Sequence, residues 1–245
     1  MSTILEGKNL TKSFGGLTAV REVDFHLEQG EIVGLIGPNG AGKTTLFNLI
    51  SGVFPTDTGT LRFNDREIGG LRSFEICRLG IARTFQIVRP FLKMNCLENV
   101  LVGIAGREEK ETRRKEEKRE EAWELLKFIG LPGEEYRLAQ NLTLMQKKRL
   151  EMARALATRP RVILLDEVLA GLNPSEMHQA LDLIEGIRSE QKITIFWIEH
   201  VMGAIMKGSD RIIVLDQGRM IREGKPEEVV SDPRVIEAYL GDANA

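Results

Sequence analysis

The sequence predicts an α/β fold: a mainly parallel sheet with helices on its faces, an amino-terminal antiparallel β sub-domain and an inserted α-helical sub-domain. Three observations lead there. Residues 5–63 are a series of short β-branched and apolar stretches broken by Gly, Asn and Asp; from about residue 73 to 157 the apolar spacing turns helical; after Arg161 strand-like and helical segments alternate. Such alternation implies parallel strands joined by crossovers, because a sheet covered on both faces is what buries near-continuous Val, Ile and Leu runs.

In the opening segment, residues 17–27, 32–36 and 60–63 are the expected strands. The helical block contains an almost wholly charged run at residues 107–121, which leads into an apolar face formed by Trp123, Leu126 and Ile129. Acidic residues alternate with the Lys and Arg of that run at i,i+3 and i,i+4 spacing, the pattern of a solvated helix rather than of a nucleic-acid contact. Beyond it come RVILLD, a helix from Pro174 to about Ser189, the strand ITIFWI leading into EH, a helix near 201–207 and the strand RIIVLD. With no internal repeat and no low-complexity linker, the helical block reads as an insertion in one domain spanning 1–245, with residues 1–87 and 158–245 as core and 88–157 as insertion.

Composition narrows the function. The 34 basic and 36 acidic side chains leave a formal charge of -2, so no global field draws the chain to nucleic acid or to an anionic membrane. The longest apolar runs, at 162–165 and 193–198, fall far short of the roughly 18 residues of a spanning helix, and MSTILEGKN does not resemble a leader. A cytoplasmic location without membrane insertion is expected. Cys77 and Cys96 lie in no Cys-x-x-Cys or Cys/His cluster and read as neutral thiols of a reducing compartment.

Residues 37–44, GPNGAGKT, complete the pattern G-x-x-x-x-G-K-[ST] between an apolar strand-like segment and the helical TLFNLIS. Gly37, Gly40 and Gly42 let the backbone curl, with Asn39, Ala41 and Thr45 part of the same cradle, so that successive N–H groups and the positive end of the following helix face one anion. Lys43 adds a point charge for the β and γ phosphates, and Thr44 a hydroxyl for Mg2+. The core is therefore expected to be a P-loop ATPase core, with ATP and Mg2+ bound. RVILLDEV places Asp166 at the carboxyl end of a buried strand, where a metal-bound water can be held, with Glu167 beside it to address the attacking water; the same two carboxylates could instead cap the next helix. His200 also follows a strand and would emerge on that edge, able to donate to the γ-phosphate; His26 and His178 read as structural.

In this order the motifs resemble the ABC ATPase family across the whole chain. The resemblance implies a glutamine loop in RTFQ, giving Gln86 a metal- and water-sensing role where core and helical insertion join. It implies that Phe14, in KSFGG, stacks on adenine, although a core aromatic is the rival reading. The family signature Leu-Ser-Gly-Gly-Gln stands here as Leu142-Thr143-Leu144-Met145-Gln146, with Thr143 and Gln146 in nucleotide-binding positions and Leu144 and Met145 replacing glycines. Side chains of that size beside a triphosphate would desolvate it or push it back, so the departure is expected to burden the ATP site of a partner subunit; the alternative is that both side chains point away and only the backbone N–H groups at the helix start matter, in which case both sites work. Val168 and Asn173 stand where proline and aspartate are common.

RTFQIVRPFLKMNCLENVLVG, AGLNPSE and the tail EGKPEEVVSDPRVIEAYLG look like the ATP-binding subunits of branched-chain amino acid importers. That implies a homo- or heterodimer with another ABC ATPase, transmembrane permease subunits as partners, and a peripheral position on the inner face of the cell membrane through the permease. A soluble ABC clamp on nucleic acid or ribosomes is the alternative, disfavoured by the single ATPase unit and the lack of a basic tail. A nucleotide-gated scaffold without turnover is a third reading.

Overall fold

In the computed structural model, which describes residues 2–107 and 114–240, the chain opens with β1 (Thr3–Phe14), β2 (Leu17–Glu28), β3 (Ile32–Ile36), α1 (Lys43–Ile50), β4 (Thr58–Phe63) and β5 (Arg66–Glu67). It continues with α2 (Ser73–Leu79), β6 (Ile81–Arg83), α3 (Cys96–Ala105), α4 (Lys115–Phe128) and α5 (Leu144–Leu156). The last part runs β7 (Val162–Asp166), α6 (Pro174–Ser189), β8 (Thr194–Ile198), α7 (Met202–Gly208), β9 (Arg211–Asp216), β10 (Arg219–Gly224), α8 (Pro226–Val230) and α9 (Pro233–Leu240).

One sheet has the order β10-β9-β3-β8-β7-β6, parallel from β9 to β6 with β10 antiparallel at its edge. The other, β2-β1-β4-β5, is antiparallel. The α/β class, the parallel sheet and the antiparallel amino-terminal sheet are thus as the sequence predicts. The reason is visible in β7: Val162 and Leu164 enter the core shared with the antiparallel sheet, while Ile163 and Leu165 enter the core under the helices, so both faces must be apolar. Helix α1 puts Leu46, Phe47, Leu49 and Ile50 into the shared core.

Two details differ from the expectation. The stretch from 73 to 157 is not helical throughout, because β6 adds a three-residue strand beside β7; a strand that short leaves no periodicity to read. In α4 the buried line is Ala122, Leu126 and then Ile129, at i, i+4 and i+7, whereas Trp123 is exposed under the ammonium of Lys127. Part of the charged run, residues 108–113, lies outside the described residues.

Candidate nucleotide-binding and catalytic site

Strands β3, β8 and β7 are parallel neighbours, so their carboxyl ends share one edge. That edge brings the loop 37–44, Asp166 with Glu167, and His200 together.

The loop follows β3 directly and ends in α1. Gly37, Gly40 and Gly42 have φ of 150, 82 and 102°, all in the region that side chains avoid. A Cβ on Gly37 would lie 2.1 Å from the Leu215 carbonyl oxygen, and one on Gly42 2.3 Å from that of Ala19, so β9 and β2 press on the loop from two sides. Ala41 is buried, Asn39, Gly40 and Thr44 are exposed and Thr45 is half-buried. Lys43 is 5% exposed. Its ammonium folds back over the loop and donates to the carbonyls of Gly37 (2.7 Å) and Pro38 (3.0 Å). Burial lowers its pKa, while the charges of Glu167 and Asp166 act to raise it.

Asp166 is buried at the end of β7. Its Oδ2 accepts from Arg83 Nη2 at 2.8 Å, and Nη1 of the same guanidinium donates to Asn48 Oδ1 (2.7 Å) and Ser51 Oγ (3.0 Å). Arg83 thereby ties β6 and β7 to α1 and its carboxyl-terminal cap. Glu167 has φ of 50°, a conformation costly for a side-chain-bearing residue, held by its N–H donating 2.9 Å to the Ile198 carbonyl. Its carboxylate accepts from Gln86 Nε2 at 2.6 Å and lies 2.8 Å from His200 Nε2. The three candidate catalytic side chains, 81 and 33 positions apart from Glu167 in sequence, therefore form one hydrogen-bonded line. Neither carboxylate caps α6; Asn173 does, accepting from the Glu176 N–H, a task Asn performs as well as Asp.

Behind this line sits a buried charged layer that sequence reasoning missed. Lys148 donates to the carbonyls of Glu167 (3.3 Å), Val168 (2.8 Å) and Ala170 (2.7 Å). Glu199 accepts from the Leu169 N–H at 2.7 Å, and Glu151 from the Phe85 N–H at 3.3 Å. Burial pushes both carboxyls up to about 7, although Lys148 pulls them down. Burial likewise lowers Lys148, with the three glutamates opposing it. Glu199 carried a signal, a charge at the end of IFWIEH; Lys148 and Glu151 sit in a helix where charges on a solvated face look the same.

Phe14 is 42% exposed at the end of β1 and meets Phe54 edge-on at 5.2 Å. It is not a core aromatic. Thr143 is the cap of α5: its Oγ1 accepts from the Gln146 N–H (3.3 Å), while Gln146 Oε1 accepts from the Thr143 N–H (3.0 Å) and Gln146 Nε2 donates to Glu134 (3.0 Å). Met145 is 8% exposed and lies in the core, which corrects the expectation that its side chain crowds a triphosphate. Leu144 is 46% exposed and lies beside Gly171, where an added Cβ would be 3.2 Å from Leu144 Cδ2.

The donor types suit a hard divalent ion, which takes oxygen ligands: the Asp166 carboxylate, whose Oδ2 is held by Arg83, and the hydroxyl of exposed Thr44. Among the described residues no group of three or more His, Cys, Asp or Glu could cage a metal.

Comparison with known proteins gives the family. Residues 20–170 match the ABC transporter family. The chain belongs to that family. It is an ATP-hydrolysing cassette, α/β in fold. Residues 219–245 match a second family, the branched-chain amino acid ATP-binding cassette transporter. The chain is 42% identical to the high-affinity branched-chain amino acid transport ATP-binding protein BraF of Pseudomonas aeruginosa, with 98% of each chain covered. It is 41% identical to the corresponding LivG protein of Escherichia coli, again over 98% of each. A crystal structure of an ABC transporter cassette in its ADP conformation superposes with a TM-score of 0.90, at 33% identity over 99% of this chain and 100% of the other. A dimeric cassette in a post-hydrolysis state with ADP and Pi gives 0.82, at 26% identity over 91% and 99%. Among the described residues no helix is long and apolar enough to cross a membrane.

Proposed function

We propose that this cassette binds MgATP on the loop 37–45 and hydrolyses it as the motor of an importer for branched-chain amino acids or a similar small polar solute. The hydrogen-bonded line Gln86–Glu167–His200, on the sheet edge where the P-loop emerges, carries this reading. Gly37, Asn39, Gly40, Ala41, Gly42, Lys43 and Thr45 hold the phosphates, and Phe14 takes the adenine on its open face. Thr44, Asp166 and Gln86 would hold Mg2+, which would supply charge neutralisation for the phosphate oxygens. Glu167 accepts the proton of the attacking water. His200, brought to the same carboxylate, donates to the γ-phosphate. Thr143 and Gln146, at the start of α5, complete the site of a second ABC ATPase, identical or a sister, in a dimer.

Residues 1–87 and 158–245 act as the nucleotide-binding core and 88–157 as the helical sub-domain. A groove of about 460 Å³ lined by Val53, Phe85, Arg89, Val102 and Arg154 lies beside Gln86, where a permease helix would dock. Through it the chain would sit peripherally on the cytoplasmic face of the cell membrane. The soluble clamp is not favoured, because relatives matching over 98% of their length are transport proteins by name. Co-purification from membranes of permease subunits, with ATP-driven uptake of branched-chain amino acids after reconstitution, is the expected result. A chain that purifies with ribosomes or nucleic acid and no permease would overturn the transport reading.

A further inference from the structure

The parallel ladder between β3 and β9 ends at the pair Ile36–Val214. The next amide of the chain, that of Gly37, has no strand partner and donates instead to Tyr239 Oη at 2.8 Å, from helix α9 more than two hundred residues away. Gly37 is held at two further points: its carbonyl accepts from the Lys43 ammonium at 2.7 Å, and its α-carbon stands so close to the Leu215 carbonyl that no side chain fits. Tyr239 thus grips one side of the residue whose other side sets the lysine. Helix α9 is seated by Val235, which is buried in the helical-side core, and burial raises the phenol pKa, so the hydroxyl stays neutral and can accept from an amide.

We propose that Tyr239 is a positioning residue of the nucleotide site: its hydroxyl fixes the Gly37 amide where β3 turns into the P-loop, and so ties nucleotide affinity to the seating of α9. The inference rests on the P-loop reading above. Because the coupling is reciprocal, nucleotide on the loop must hold α9 more firmly by the same factor that α9 strengthens nucleotide binding. Tyr239 touches no reacting atom, so its effect belongs to binding and not to the chemical step.

The test uses the full chain with Tyr239→Phe, which removes only the hydroxyl, Tyr239→Leu, which removes the ring, and Lys43→Ala. MgATP binding is measured by calorimetry, turnover in the reconstituted transporter, and amide exchange over residues 233–240 with and without ATP. Loss of one hydrogen bond predicts ATP affinity weaker by about three- to ten-fold in Tyr239→Phe, a raised KM and an unchanged kcat. ATP should slow exchange in α9 of the natural protein and not in Tyr239→Phe. Normal affinity in Tyr239→Phe alongside failed binding in Lys43→Ala overturns the role of Tyr239 alone. So does normal affinity in Tyr239→Phe with loss in Tyr239→Leu, which would reduce the residue to packing. Normal binding in Lys43→Ala would instead sink the P-loop reading, and this inference with it.

Discussion

Replacing Glu167 by Gln changes one terminal oxygen to an amide nitrogen and almost no volume, at a carboxylate that accepts from Gln86 at 2.6 Å and meets His200 at 2.8 Å. Gln86 can rotate its amide to present oxygen, and His200 can change tautomer, so both contacts can be re-formed with the new amide. The local cost is then at most about one charge-assisted hydrogen bond, on the order of 1.5–3 kcal/mol, and the loop 37–44 keeps its geometry. Chemistry fares differently, since an amide cannot take a proton from water. Loss of general-base catalysis is worth roughly 10²–10⁴ in rate, or about 2.7–5.5 kcal/mol in the barrier. Steady-state phosphate release from the reconstituted transporter should fall by that factor, ATP affinity should stay within about three-fold by the same reasoning, and ATP-trapped dimers should accumulate on a sizing column. Turnover at the natural rate would move the proton-accepting role elsewhere, with His200 the next candidate.

Lys43→Ala should weaken ATP binding at least about ten- to hundred-fold in a calorimetric titration, since each charge-assisted contact to phosphate is worth on the order of 1.5–3 kcal/mol; near-normal affinity and turnover would refute the phosphate role. Arg83→Met leaves Asp166 buried without its cation and should lower stability by about 3–5 kcal/mol in urea unfolding, as for other broken buried pairs; a loss under about 1 kcal/mol would show the pair to be dispensable. Burial pushes the Glu199 carboxyl up to about 7 from the ordinary carboxylate value near 4.5, so the folded state binds the extra proton and stability must decline as pH rises from about 4.5 to about 7. Glu199→Gln should flatten that decline in denaturant melts across the window, and an unaltered slope would contradict it. Met145→Gly opens a core cavity at the first turn of α5 and should cost about 2–5 kcal/mol of stability, whereas Leu144→Gly should leave the melt nearly unchanged. Only Leu144→Gly then tests the partner's ATP site cleanly; if that variant leaves turnover unchanged while each catalytic glutamate is knocked out in turn, the altered signature is a tolerated variant.

Local pattern alone determined much of this protein. A fully buried strand must be apolar on both faces, so β3, β7, β8 and β9 announce themselves as runs. A phosphate cradle needs glycines, one lysine and one hydroxyl at set spacing between a strand and a helix, so GPNGAGKT stands out as the candidate without coordinates. That Asp166 ends a strand and that Glu167 and His200 closely follow strands could be read as well, and with parallel pairing it follows that they share an edge. What the line of residues cannot carry is which groups meet across it. Arg83 finds Asp166 and Lys148 finds three carbonyls only because β6 and α5 pack where they do, and burial, not sequence, turns Glu151 and Glu199 into groups titrating near neutrality. The same holds for Met145, which stands in a motif by resemblance yet faces the core because it occupies the inward side of the first turn of α5. Tyr239 is the furthest case: its hydroxyl reaches the Gly37 amide across 202 positions of chain, a distance over which spacing holds no information and only the folded path of β9, β10 and α9 brings donor and acceptor together.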